Sequence, residues 1–205
     1  MKDWVGNGNS IYKTLGASNH TDKAREANDF YATDPAAIDG LLKMHGLTRT
    51  IWEPACGDGQ LAKRLEQKGY KVIATDLVDR GYGVAGIDFL QASQVPDRDV
   101  HCILTNPPYK YALQFVNHAL DILPEGDLCC MFLKTTFLEG QQRYDKLFST
   151  RPPRYVFQFA KRVLCAKNAD FAGAIAGGGS AVSYAWFVWE KGFTGDTIIR
   201  WIDNE

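Results

Sequence analysis

The sequence predicts an α/β fold: a mostly parallel sheet with helices packed on both faces. Three observations predict it. Short apolar, strand-like runs alternate with helical patterns from residue 34 to about residue 190, the arrangement of parallel strands joined by crossover helices. Two of those runs end in turns rich in Gly or Pro, at Glu53-Pro54-Ala55-Cys56-Gly57-Asp58-Gly59 and at Asn106-Pro107-Pro108-Tyr109. Open α/β sheets bind ligands at that carboxyl edge. Finally, Asp76 closes the next strand-like run, about 20 residues beyond the glycine turn, where dinucleotide-type folds place the acid that holds a ribose hydroxyl pair.

The elements follow in order. Residues 1–28 are rich in Gly, Asn, Ser and Lys, with few apolar anchors beyond Trp4, Ile11, Tyr12 and Leu15. They read as an arm, with a short helix near 21–28, ahead of a single domain at 29–205. A helix is expected over 34–45. Asp34 is a good N-cap, Pro35 suits the first helical position, and Ala37, Ile38, Leu41 and Leu42 recur at helical spacing. Strand 50–55 runs into the glycine turn, and helix 60–68 follows, with Leu61, Ala62 and Leu65 apolar and Lys68-Gly69 as its stop. Strands are expected at 71–76, 84–87, 100–105, 127–133, 154–159 and 182–190, with a further candidate at 197–202. Helices are expected at 110–122, with Leu113, Val116 and Leu120 on one face, and at 139–149.

The two turns carry the chemistry. Gly57 and Gly59 let the backbone approach a ligand closely, and the helix N-terminus behind them favours a carboxylate. At Asn106 the consecutive prolines cannot continue a central strand, because neither donates a backbone N–H. A side-chain amide, rigid carbonyls and an aromatic face therefore sit together at the end of a buried strand. That set suits a planar molecule bearing an NH2 group. The Asn106 amide oxygen and the Pro107 carbonyl can accept its hydrogens, and Tyr109 can stack on its ring.

Asn-Pro-Pro-Tyr at 106–109, with Glu53-Pro54-Ala55-Cys56-Gly57-Asp58 upstream, resembles the amino-methyltransferases that use S-adenosylmethionine, especially the N6-adenine DNA methyltransferases. The resemblance spans about residues 29–190. It implies a Rossmann-like class I methyltransferase fold with seven strands, the last antiparallel. It implies S-adenosylmethionine as cofactor and S-adenosylhomocysteine as product. It places Asn106, Pro107, Pro108 and Tyr109 in catalysis. Tyr31, Thr33, Glu53, Pro54, Ala55, Cys56, Gly57, Asp58, Asp76, Leu77, Asp88, Phe89 and Asn106 would hold the cofactor. Within that set, Tyr31 and Thr33 match an element that covers its methionine end. Asp88 would contact its adenine amino group, and Phe89 would pack on the ring. The expected reaction is methyl transfer to the N6 amine of a flipped adenine in DNA. RNA adenine and protein glutamine are the alternatives, and a binding module on an inactive fold is a third. No separate target-recognition domain is expected, as in the small stand-alone enzymes of phages and prophages, which act in bacterial or infected-host cytosol.

Composition narrows the class further. The 205 residues suffice for one domain with a sizeable core. No apolar stretch approaches the roughly 20 residues of a membrane span. The five cysteines, at 56, 102, 129, 130 and 165, form no CxxC pair, which fits a reducing, cytosolic setting and no metal site. Net charge is −1, but eight basic residues lie between Lys134 and Lys167 against only Glu139 and Asp145. This segment is the expected phosphate-binding face for DNA. The Gly/Ala-rich stretch 164–180 reads as a substrate-facing loop, with Phe171 placed to help hold a base. Oligomeric state is left open.

Overall fold

The computed structural model describes residues 31–166, 171–172 and 182–205. The arm at 1–28, its expected helix and most of the 164–180 loop lie outside the described residues.

Seven strands form one sheet: β2 (Thr50–Glu53), β3 (Lys71–Ala74), β4 (Cys102–Thr105), β5 (Leu128–Lys134), β6 (Tyr155–Phe159), β8 (Tyr184–Glu190) and β9 (Ile198–Ile202). Their order is β3-β2-β4-β5-β8-β6-β9. Only β8 runs against its neighbours, β5 and β6; every other pair is parallel. A separate two-stranded ribbon pairs β1 (Ala32–Thr33) with β7 (Cys165–Ala166) antiparallel.

The central strands are buried on both faces, and their side chains alternate between two cores. From β5, Cys129, Met131 and Leu133 join Phe115, Val116 and Leu120 of helix α3 (Ala112–Ile122). From the same strand, Leu128, Cys130 and Phe132 join Ala37, Ile38 and Leu41 of α1 (Ala36–Met44) and Leu61 and Leu65 of α2 (Gln60–Gln67). Helices therefore cover both faces. Asp34 caps α1 as expected: its Oδ1 accepts the Ala36 N–H at 2.9 Å, and Pro35 already has helical angles.

Three expectations are corrected. Residues 84–87 do not form a strand. A single parallel bridge joins Thr75 to Val84, because Gly81, Gly83 and Gly86 all take positive φ, which turns the chain away from an extended path. The seventh strand is β9 instead, at the further candidate 197–202; it runs parallel to β6, so the reversed strand is β8 and not the last one, which the resemblance implies. Secondly, the helix expected at 139–149 is one turn, Gln141–Arg143, running into a π turn at Tyr144–Phe148. Thirdly, strands 50–55 and 71–76 end earlier, at Glu53 and Ala74. Pro54 and Asp76 thus lie in the loops that shape the site.

Candidate active site

Every side chain assigned from the sequence to cofactor or catalysis lines one cavity of about 880 Å³ at the carboxyl ends of β2, β3 and β4. That volume lies within the range of small-molecule and cofactor sites. Two loops make one wall. Asp76 ties them together, its Oδ2 accepting the Gly57 N–H at 2.8 Å and its Oδ1 the Val78 N–H at 2.9 Å. Gly59 has a different role from the one expected. It does not line the cavity; it sits at φ 84°, and a Cβ there would lie 2.4 Å from the Tyr82 ring. It permits close packing, whereas Gly57 and Asp58 face the ligand space.

Glu53 forms part of the cavity floor. It is 1 % exposed, and its Oε2 is buried without a hydrogen-bond partner among the described residues. Burial pushes its carboxyl well above the ordinary range, and the nearby Asp76, Asp58 and Glu66 push the same way. A cationic ligand group would relieve both effects. Cys56 is held as an inert thiol: burial, with Glu53 and Asp76 beside it, raises it to about 12.

At the next position along the cavity, Asp88 is exposed and its carboxylate accepts the Leu90 N–H at 3.0 Å. Phe89 departs from the expected role. It is 2 % exposed and enclosed by the rings of Trp52, Phe115 and His118, with centroids 4.9–5.1 Å away. It is mainly a core residue that shows an edge to the cavity. The exposed apolar surfaces there belong to Leu77 and Ile87, 59 % and 38 % exposed. Ile87 was missed from the sequence; its signal is a large apolar residue beside Asp88 in a glycine-rich loop.

Asn106 follows directly on β4, whose Thr105 hydroxyl donates to the Ala55 carbonyl at 3.4 Å. The chain leaves β4 through Pro107 and Pro108, and the β1–β7 ribbon covers the amide. Asn106 Nδ2 donates to Thr33 Oγ1 at 2.8 Å, with Cys165 Sγ 3.9 Å away. Its Oδ1 is buried and has no partner among the described residues. Thr33 thus grips the nitrogen end of the amide and leaves the oxygen end uncommitted. Tyr109 is packed more tightly than a bare stacking platform. Tyr184 lies against it with centroids 5.9 Å apart, its hydroxyl is 3.5 Å from Cys165 Sγ, and Lys134 Nζ sits 4.7 Å from its ring centre. A base could stack on the face under Lys134 only once that ammonium gave way. Burial holds Tyr109 and Cys165 protonated, so neither is a proton acceptor at neutral pH.

Three cations of the expected basic face form ion pairs. Arg151 pairs with Asp121, Arg154 with Glu190 and Lys161 with Glu205. Lys167 lies outside the described residues. Lys134, Arg143 and Lys146 remain at cavities, joined by Lys110, which sequence position alone did not single out. Among the described residues no cluster of His, Cys, Asp and Glu is placed to hold a metal, and no helix is long and apolar enough to cross a membrane.

With its single reversed strand and its cavity at the carboxyl ends, the chain has the Rossmann-like class I methyltransferase fold, and solved structures of that fold resemble it. A protein from Listeria monocytogenes assigned as a class I S-adenosylmethionine-dependent methyltransferase matches with a TM-score of 0.58 and 12 % identity, over 94 % of this chain and 71 % of its own. One from Pyrococcus horikoshii assigned as an RNA methyltransferase matches at 0.57 and 13 %, over 87 % and 96 %. A modification subunit from Vibrio vulnificus assigned to a type I restriction enzyme matches at 0.54 and 13 %, over 92 % of this chain but 49 % of its own. No protein-family model and no curated protein sequence matches the chain.

Proposed function

We propose that this protein transfers a methyl group from S-adenosylmethionine to the N6 amine of adenine in DNA. The observation that carries the proposal is the Asn106 amide: nitrogen held by Thr33, oxygen buried and unpartnered, at the end of a cavity that can hold the cofactor.

The lining suits S-adenosylmethionine. Asp76 would take the ribose hydroxyls, and Leu77 and Ile87 would flank the adenine beside Asp88. Glu53 would meet the ammonium, and the Gly57–Asp58 turn before α2 would meet the carboxylate. Tyr31 and Thr33 would cover the methionine end. Bound there, the cofactor supplies an activated methyl group and leaves as S-adenosylhomocysteine.

The protein's own part is orientation. An adenine amine is a poor nucleophile, because its lone pair is delocalised into the ring. Asn106 Oδ1 and the Pro107 carbonyl would accept its two hydrogens. Those bonds favour a pyramidal nitrogen and aim its lone pair at the methyl group. With Tyr109 and Cys165 protonated, no side chain at Asn106 acts as a base, so the released proton goes to water. The base must leave the duplex to reach this position.

Charge supports a nucleic-acid substrate. Lys134 Nζ lies 4.7 Å from the Tyr109 ring centre, and Lys110 and Lys134 line the cavity along with Arg80 and the acids Glu53, Asp58, Asp76 and Asp88. The two lysines at Tyr109 would draw a polyanion towards the residues that follow Asn106. The test is tritiated methyl transfer onto DNA, RNA and protein in parallel, with nucleosides and amino acids separated after digestion. The expected product is N6-methyladenine in DNA, lost in Asn106→Ala. Label confined to RNA adenine or to protein glutamine would replace the DNA assignment.

A further inference from the structure

A second groove, of about 520 Å³, lies between α3 and the segment 137–146, and it shares Leu90, Tyr109 and Lys110 with the main cavity. Three cations from two segments line it: Lys110 from one, Arg143 and Lys146 from the other. Its one acid, Asp121, is already bonded to Arg151 at 2.7 Å. The amides Gln114, Asn117 and Gln142 add hydrogen-bonding groups, and Leu113 and Phe137 add apolar surface. Arg143 is oriented in advance. Its Nη2 donates to the carbonyls of Thr136 and Glu139, and its guanidinium lies 5.3 Å from the centre of the Phe137 ring.

Buried polar atoms in folded proteins nearly always have partners, so exceptions mark places where something else binds. Four side-chain atoms are buried and unpartnered among the described residues: Glu53 Oε2, Asn106 Oδ1, His118 Nε2 and Arg143 Nε. The first two belong to residues of the main cavity, the last two to residues of this groove. The unsatisfied groups are divided between the two adjoining spaces.

We propose that the groove seats the polynucleotide strand next to the target adenine, Lys110, Arg143 and Lys146 taking its phosphate and the amides its sugar or base. This rests on the nucleic-acid reading of the main cavity. A strand whose adenine reaches Asn106 passes Tyr109 and Lys110, and the groove begins at those two residues. A free small anion would not need the amides, the apolar surface or the continuity with Asn106.

The experiment measures anisotropy of fluorescein-labelled single-stranded DNA and RNA, each with degenerate sequence around a central adenine, against salt. Methyl transfer to the same strands is followed in parallel. Lys146→Glu is compared with Lys161→Glu, an equal charge change on an exposed residue that pairs with Glu205. Lys146→Glu should weaken binding roughly tenfold and lower the salt slope by about one, with cofactor affinity unchanged. Lys161→Glu should stay within about twofold of the parent. Lys110→Ala should weaken binding in the same sense as Lys146→Glu. Normal binding by both groove variants, while the parent methylates the strand, overturns the groove alone. Equal weakening by Lys161→Glu overturns it in favour of diffuse charge. A parent protein that neither binds nor methylates either strand overturns the groove and the nucleic-acid reading together.

Discussion

Thr33 is the side chain on which the orientation of Asn106 depends. A planar amide can turn over and present either its oxygen or its nitrogen, and the 2.8 Å bond from Nδ2 to Thr33 Oγ1 selects one orientation. Thr33→Val keeps the shape and removes the acceptor. It should lower kcat about tenfold with the KM for cofactor changed far less, and Thr33→Ser should restore most of the rate. Asn106→Ala should abolish most turnover and leave cofactor affinity largely intact; turnover at the parent rate would refute the amine-orienting mechanism. Glu53 allows a pH test. Burial raises its carboxyl in the fold, so its contribution to stability is present below the ordinary value of 4.5 and is lost as pH rises towards the raised one. Glu53→Gln should therefore raise the Tm of the cofactor-free protein at about pH 8, by roughly 2–4 °C for each kcal/mol relieved, and change little at about pH 4. The same substitution should weaken cofactor binding by about tenfold, since the ammonium loses its counter-charge. Scanning fluorimetry and calorimetry measure the two effects.

Among the elements, the loop after β3 shows how local geometry overrides an apolar pattern. Val84-Ala85-Gly86-Ile87 looks like a short strand, but a Cβ at Gly83 would lie 2.7 Å from the Ala74 carbonyl oxygen and 2.9 Å from Cys56 Sγ. The chain is pressed against the end of β3 and cannot run on beside it. Asp76 then braces both loops through Gly57 and Val78. Asp76→Ala should cost about 1.5–3 kcal/mol of cofactor affinity; equal affinities by calorimetry would remove Asp76 from the cofactor site. On the other face, Asp39 of α1 receives Arg64 through both Nε and Nη2, and Lys68 at 2.9 Å. Burial alone would raise its carboxyl, but those hydrogen bonds outweigh it and hold the group below its usual 3.8. That contribution is present above the ordinary value and disappears as pH falls through the lowered one. Asp39→Asn should thus cost about 0.5–1 kcal/mol at neutral pH, as expected for a partly exposed pair, and nothing in strong acid. Urea unfolding at two pH values measures it.

For the whole molecule, a net charge of −1 conceals local groups of like charge. Four acids, Glu53, Asp58, Asp76 and Asp88, line the main cavity, where Lys110 and Lys134 stand at Tyr109, while Lys110, Arg143 and Lys146 line the adjoining groove. Association with nucleic acid should fall steeply as salt rises, whereas cofactor affinity should change little over the same range. Titration of both ligands across a salt series checks this, and a flat response for DNA would argue against phosphate contacts.

Amino-acid order alone determined the features written in short, contiguous pattern: the central strands, the Asp34–Pro35 helix start, the Gly57 turn and the Asn106-Pro107-Pro108-Tyr109 exit. Each depends on neighbours within a few residues, so each is visible locally. Tertiary structure decided what depends on distant segments. It replaced the 84–87 strand with β9 and moved Phe89 into the core. It placed Lys134 over Tyr109 and paired Arg151, Arg154 and Lys161 of the 134–167 cations with acids. It brought Thr33 against Asn106, 73 residues away along the chain. The physical reason is common to all of these. A hydrogen bond, an ion pair or a ring contact is set by where the packed sheet places two segments, and their separation in sequence carries no record of it.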